Sequence, residues 1–175
     1  HKWMCSPKGV AFLYTKKYLQ DGIDPLIISH GFGKTPKGSK LYSGSNYLNY
    51  HQWQGTRDFS NVLTVPKLIQ FLNDNDWVNV ANNCHNLALY ARNEISNLLD
   101  TQPISNDEYI GQMTSIPIDT DNPEKLKAEL SENYKIEVPI TSWNNKHLIR
   151  ISIQAYNTKE DVHKLIDALH EIRSD

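Results

Sequence analysis

The sharpest hydrophobic pattern in the chain lies near its end. After Thr158, the residues Val162, Leu165, Ile166, Leu169 and Ile172 recur with the spacing of one helix face. Thr158 stands where a cap belongs, and Asp161 three positions on completes a capping box. Asn122-Pro123 announces another helix, a cap followed by proline at the first helical position, with Leu126 and Leu130 turned inward. Residues 79–99 read as a longer helix striped by Leu87, Ala91, Ile95 and Leu98 and ended by Pro103 and its polar surroundings. Residues 58–73 read as a helix capped by Asp58, with Val62, Val65, Ile69 and Leu72 at helical spacing. Pro66 inside that pattern must kink the helix or start a new one.

Shorter apolar runs read as strands. Gln112 to Ile118, Lys135 to Ile140 and Lys146 to Gln154 are three of them, with Trp143-Asn144-Asn145 as a hairpin turn. Residues 9–15 and 24–29 are nearly continuous in apolar character, which predicts buried strands of a sheet covered on both faces. From Gly31 to His51 the chain is rich in Gly, Ser, Lys and Asn, with Tyr42, Tyr47 and Tyr50 interspersed, and reads as a long loop. The fold class expected is α/β, closing in a small α+β layer of sheet on helices.

Composition narrows the partners. The 175 residues are 39% hydrophobic and 22% charged, as in a globular chain. A net charge of −2, from 18 Lys and Arg against 20 Asp and Glu, offers no footprint for nucleic acid or an anionic membrane. No apolar run is long enough to span a bilayer, and no signal peptide opens the chain, which starts without methionine. The 2 cysteines, Cys5 and Cys84, are far apart and fit a reducing compartment. The 7 histidines are scattered without ligand spacing, so no metal site is expected.

Three places carry candidate chemistry. In Leu148-Ile149-Arg150-Ile151-Ser152-Ile153-Gln154, alternation puts the three isoleucines on the core face and Arg150 on the other, with Leu148, Ser152 and Gln154. An arginine there meets a bound carboxylate, an internal Asp or Glu, or water on an open sheet face. Gly55-Thr56 just before a helix offers backbone N–H groups and a hydroxyl to a phosphate, or simply eases a turn into the cap. Lys2, between His1 and Trp3, is by composition an ordinary solvated lysine. Cys84 reads as a small core residue, and His163 and His170 as solvated.

His1-Lys2-Trp3 with Pro7-Lys8-Gly9, Gly55-Thr56-Arg57-Asp58, and the run from Arg150 to Asp161 occur in one order. That ordered set resembles the class V aminotransferases, pyridoxal-phosphate (PLP) enzymes of fold type I, and within them the isopenicillin N epimerase-like subgroup. Gln112-Met113 through Ile116-Pro117 is similar to the same subgroup. The resemblance covers essentially the whole chain, which corresponds to the C-terminal half of the family. It implies that residues 1–57 end the large PLP domain and that 58–175 form linking helices and the small C-terminal domain. It implies a Schiff base on Lys2, a phosphate contact from His1, and Gly55 and Thr56 reaching the phosphate of the neighbouring subunit in a homodimer. Arg150 is implied to bind the α-carboxylate of a small amino-acid-type substrate. The acidic partner of the pyridine nitrogen and the ring-stacking residue are expected upstream of His1. The chain alone is therefore expected to bind PLP weakly or not at all, and the rival reading is a non-catalytic fragment or binding module that folds without cofactor. No cysteine lies near Arg150 where desulfurases of this class carry their sulfur-accepting thiol, which disfavours that activity. Epimerase, aminotransferase and carbon–sulfur lyase chemistry remain open. A cytoplasmic location is expected.

Overall fold

A computed structural model describes residues 1–33 and 45–174. They form two compact units, His1–Phe71 and Leu72–Asp175.

The second unit is built around helix α4, Trp77–Leu99, and a three-stranded antiparallel sheet. Its strands are β1 (Met113–Ile118), β2 (Ile140–Trp143) and β3 (Lys146–Ser152), in the order β1-β3-β2. Helices α5 (Pro123–Glu132) and α6 (Lys159–Ser174) complete the layer. Ala91 and Ile95 of α4, Ile116, Leu130, Ile149 and Leu169 share one core, nearly all of it sealed from solvent. The small Ala88 and Ala91 let α4 lie close to the sheet. The buried stripe of α4 runs Cys84-Ala88-Ala91-Ile95-Leu99, one residue round from the expected Leu87-Ala91-Ile95-Leu98; Leu87 and Leu98 border it half-buried.

The caps explain the boundaries. Asn122 Oδ1 accepts the Lys125 N–H at 2.9 Å, and Pro123 opens α5 as the sequence predicts. At α6 the Asp161 N–H donates to Thr158 Oγ1 at 3.3 Å, while the Thr158 N–H donates to Asp161 Oδ2 at 3.0 Å. Helix α4 stops at Asp100, which takes the left-handed conformation (φ 52°), with the Thr101 N–H bonded back to the Ser96 carbonyl. The stop precedes Pro103 and is made by the main chain. The β2–β3 hairpin turns at Asn144 and Asn145, both with positive φ, the geometry that two-residue hairpins favour.

Two strand expectations fail locally. Lys135 to Ile140 is a strand only from Ile140 onward, because Lys135 sits at φ 59° and cannot continue an extended run. Strand β3 ends at Ser152 rather than Gln154, whose amide side chain turns back to accept the Ala155 N–H.

The first unit differs from expectation more deeply. Residues 9–15 and 24–29 form no strand, and Phe12, Leu13, Tyr14, Leu26, Ile27 and Ile28 are exposed. A strand of a doubly covered sheet needs hydrogen-bonded neighbours on both sides, and among the described residues none pairs with either segment. The expected loop 31–51 contains a helix, α1 (Asn46–Gln52), whose Leu48 N–H is capped by Ser45 Oγ at 3.3 Å; residues 34–44, including Tyr42, lie outside the described residues. Helix α1 is held against the preceding segment by Tyr47, whose hydroxyl meets Thr15 Oγ1 at 2.9 Å, and by His51, whose Nε2 meets the Ile23 carbonyl at 3.2 Å. Gly31 is required there, since a Cβ would run into the Asn49 carbonyl oxygen. The helix expected over 58–73 is split into α2 (Ser60–Leu63) and α3 (Val65–Asp74), the break falling just before Pro66 as its missing N–H demands.

Candidate functional site

Arg150 lies in the middle of the central strand, β3. Its neighbours in sequence, Ile149 and Ile151, are buried in the core shared with α4 and α6. Alternation turns the guanidinium to the opposite face, as the sequence predicts. Leu148 shares that face; it is buried, yet it stands outside the core of the α4 side. Arg150 is half-buried, and its Nε has no hydrogen-bond partner and no exposure to water. Among the described residues no carboxylate pairs with Arg150, and Nε is shielded while the side chain as a whole stays partly open to water. A buried cationic N–H without an acceptor is costly, about 1–3 kcal/mol or more for a charged group, until an anion supplies one.

A pocket of about 360 Å³ touches Arg150, Ser152 and Lys164, and Val162 and Leu165 of α6 line it too. Its lining takes residues from both faces of β3, Arg150 and Ser152 from one and Ile151 and Ile153 from the other.

Lys2 is exposed at the head of a turn closed by the Cys5 N–H, which donates to the Lys2 carbonyl at 3.0 Å. Gly9, after Pro7-Lys8, has φ 85° and completes the bend that the Pro-Lys-Gly sequence signals. His1 is exposed beside Lys2. Gly55 is at φ 77°, a conformation glycine adopts freely, and Gly55 and Thr56 are exposed. Next to them Arg57 donates to the Gln54 side chain and lies 5.0 Å above the Phe59 ring. Asp58, the expected cap, sits one residue ahead of the observed cap position, Phe59. Its carboxylate accepts the Ser60 N–H at 2.8 Å and the Ser60 hydroxyl at 2.9 Å. The amide first and the hydroxyl second hold its pKa below the usual aspartate value. His1, Lys2, Gly55 and Thr56 thus belong to the first unit and Arg150 to the second.

The residues present fit PLP at the points they can supply: an accessible primary amine at Lys2, and an open glycine turn with a hydroxyl and main-chain amides at Gly55-Thr56. Cys84 is buried on α4, and burial pushes its thiol up, as expected of a core residue. Sequence reasoning gave no role to Arg92. It is buried on α4 and paired with Asp107 at 2.6 Å, which ties the segment leading into β1 to the helix. Its polarity on a buried stripe was the available signal. Among the described residues, no group of three or more His, Cys, Asp or Glu could hold a metal ion, and no helix is long and apolar enough to cross a membrane.

The architecture is one already known. The cysteine desulfurase CsdA from Escherichia coli superposes with a TM-score of 0.68 at 18% identity, over 98% of this chain and 44% of that one. A NifS-like protein superposes with a TM-score of 0.61 at 20% identity, over 87% of this chain and 39% of that one. These are PLP-dependent fold type I structures, and the chain has part of that fold. In sequence it matches the family Aminotransferase class-V over residues 1–165, and it belongs to that family. Isopenicillin N epimerase of Amycolatopsis lactamdurans is 29% identical over 98% of this chain and 45% of its own length. L-cysteine desulfhydrase of Arabidopsis thaliana is 27% identical over 100% of this chain and 42% of its own length. The chain therefore spans less than half the length of these relatives. Members of this family are PLP-dependent enzymes.

Proposed function

We propose that the protein carrying this chain is a PLP-dependent enzyme that acts at Cα of an amino acid or amino-acid-containing substrate. The observation that carries this reading is Arg150, whose buried Nε lacks an acceptor on the sheet face opposite the core. A substrate α-carboxylate supplies the acceptor, and the planar guanidinium suits it bidentately. Lys2 would hold the cofactor through its amine, and its Nζ, once the substrate amine has displaced it, would take up and return the proton at Cα. Gly55 and Thr56 meet the phosphate of the neighbouring subunit in a homodimer, with His1 as a further phosphate contact. Residues 1–57 end the PLP domain and 58–175 lead into the small domain. PLP, when bound, supplies an electron sink that allows a bond to Cα to break heterolytically. The reading places the protein in the cytoplasm.

Two relatives divide the reaction. The epimerase of Amycolatopsis supports proton removal and return at Cα, and the desulfhydrase of Arabidopsis supports carbon–sulfur cleavage. The first is the leading reading, on the ordered motifs and the higher identity. The rival, a non-catalytic fragment that folds without cofactor, draws on the exposed apolar segments of the first unit. Incubating the full-length protein with PLP and L-amino acids in D2O separates them. Exchange of the α-proton with inversion supports epimerisation, and sulfide release from L-cysteine supports the lyase. No exchange, no product and no PLP uptake would leave only the non-catalytic reading.

A further inference from the structure

The two strands that hold Arg150 place a second polar side chain beside it. Strand β1 pairs with β3 so that Ser115 stands directly opposite Arg150. The phase of that pairing follows from three observations. The Ile153 N–H donates to the Gln112 carbonyl at 2.8 Å, so bonded pairs recur at Thr114–Ile151 and Ile116–Ile149. The Arg150 N–H donates the other way, to the Pro139 carbonyl at 3.0 Å. Pro117, which has no N–H to give, stands opposite Leu148 in the same phase as Ser115. Ser115 and Arg150 are thus a non-hydrogen-bonded antiparallel pair, the closer of the two kinds, with Cβ atoms about 5 Å apart.

Both side chains rise on the face away from the core, and both are half-buried. The other residues of β1 on this face, Met113 and Pro117, carry no hydrogen-bond donor in their side chains. Nε of Arg150 finds no acceptor even with the hydroxyl of Ser115 beside it. A ligand carboxylate standing over the pair meets the guanidinium as one donor and the serine O–H as another.

We propose that Ser115 is a substrate-binding residue: it donates a hydrogen bond to the same carboxylate that Arg150 binds, so that the carboxylate is gripped from two adjacent strands. The inference rests on the reading of Arg150 as the carboxylate anchor. It concerns recognition and assigns Ser115 no part in bond breaking.

The test compares binding of L-alanine and of L-alaninamide, which lacks the carboxylate, to the full-length holoenzyme by isothermal titration calorimetry. Ser115→Ala is expected to weaken L-alanine about tenfold, the worth of one hydrogen bond to a charged group. L-Alaninamide is expected to stay within about twofold, and Ser115→Thr to restore L-alanine to within about twofold of the parent, the scatter of a neutral substitution. Arg150→Gln is expected to abolish the preference for L-alanine over its amide. If Arg150→Gln abolishes that preference and Ser115→Ala leaves it intact, the serine contact is overturned and the arginine reading stands. Equal weakening of both ligands by Ser115→Ala also overturns it, as the mark of a structural role. If the parent protein shows no preference, or Arg150→Gln does not change it, the reading of Arg150 itself falls.

Discussion

The two units of this chain treat their apolar residues in opposite ways. In the second, Ile95, Ile116, Leu130, Ile149 and Leu169 are fully buried against one another. In the first, Phe12, Tyr14, Leu26 and Ile27 are at least three-quarters exposed, and burial among the described residues is confined to Tyr47 and Asn49 of one short helix and Gly31 beside it. Both patterns are hydrophobic, so the contrast shows what hydrophobicity alone specifies. A periodic pattern finds its complement within a helix and a hairpin. A continuous apolar run specifies only that other segments must lie beside it on both faces.

The largest expected effect tests that contrast directly. Ile149→Ala should destabilise the second unit by about 2–5 kcal/mol, the cost of a cavity in a closed core. Leu26→Ala, at a fully exposed side chain, should stay within about 0.5 kcal/mol. Urea unfolding followed by circular dichroism measures both, and comparable losses would erase the distinction between the units.

The two cysteines sample the same contrast chemically. Cys5 is exposed, whereas Cys84 is buried with its thiol pushed up. Under native conditions iodoacetamide should label Cys5 to completion before Cys84 is modified, with equal labelling in urea. Peptide mass spectrometry reads the ratio, and early labelling of Cys84 would mean that α4 opens readily.

Caps give smaller effects. Asn122→Ala should cost about 1 kcal/mol by leaving the Lys125 N–H unpaired. Thr158→Ala should cost a similar amount, about 1 kcal/mol, since it removes half of a reciprocal box.

The smallest effects are in pH. The Asp58 carboxyl lies low because the Ser60 amide, then its hydroxyl, bonds the ionised form. Its contribution is complete above the ordinary aspartate range and is lost as pH falls through its lowered value. Glu160 has the same sign, held low by its own backbone N–H and then by Thr158. Cys84 has the opposite sign: burial favours its neutral thiol, so its contribution is complete below the ordinary thiol range and is lost as pH rises through the raised value. Asp58→Asn should flatten the acid limb of α2 helicity and leave the alkaline limb of the second unit unchanged.

How much of this was legible depended on the range of the interactions. The α5 and α6 starts were readable because cap and partner lie within three residues, at Asn122–Lys125 and Thr158–Asp161. The face of Arg150 was readable because alternation is local. Its partnerless Nε was not, since that depends on every element packed around it. Ser115 was invisible for a related reason: its place opposite Arg150 is a register between strands 35 positions apart, set by hydrogen bonds the sequence does not spell out. Helix α1 was missed because Tyr47 and His51 are fixed by contacts to Thr15 and Ile23, far away in the chain.

The central claim is that Lys2 in the first unit carries the cofactor of an enzyme whose carboxylate anchor lies in the second. Borohydride reduction of the full-length protein with PLP, followed by peptide mass mapping, tests it most directly. The account predicts a phosphopyridoxyl mass on Lys2, with loss of the visible absorption band. A protein that stays colourless, or one in which the label sits on another lysine while Lys2 is intact, would contradict it.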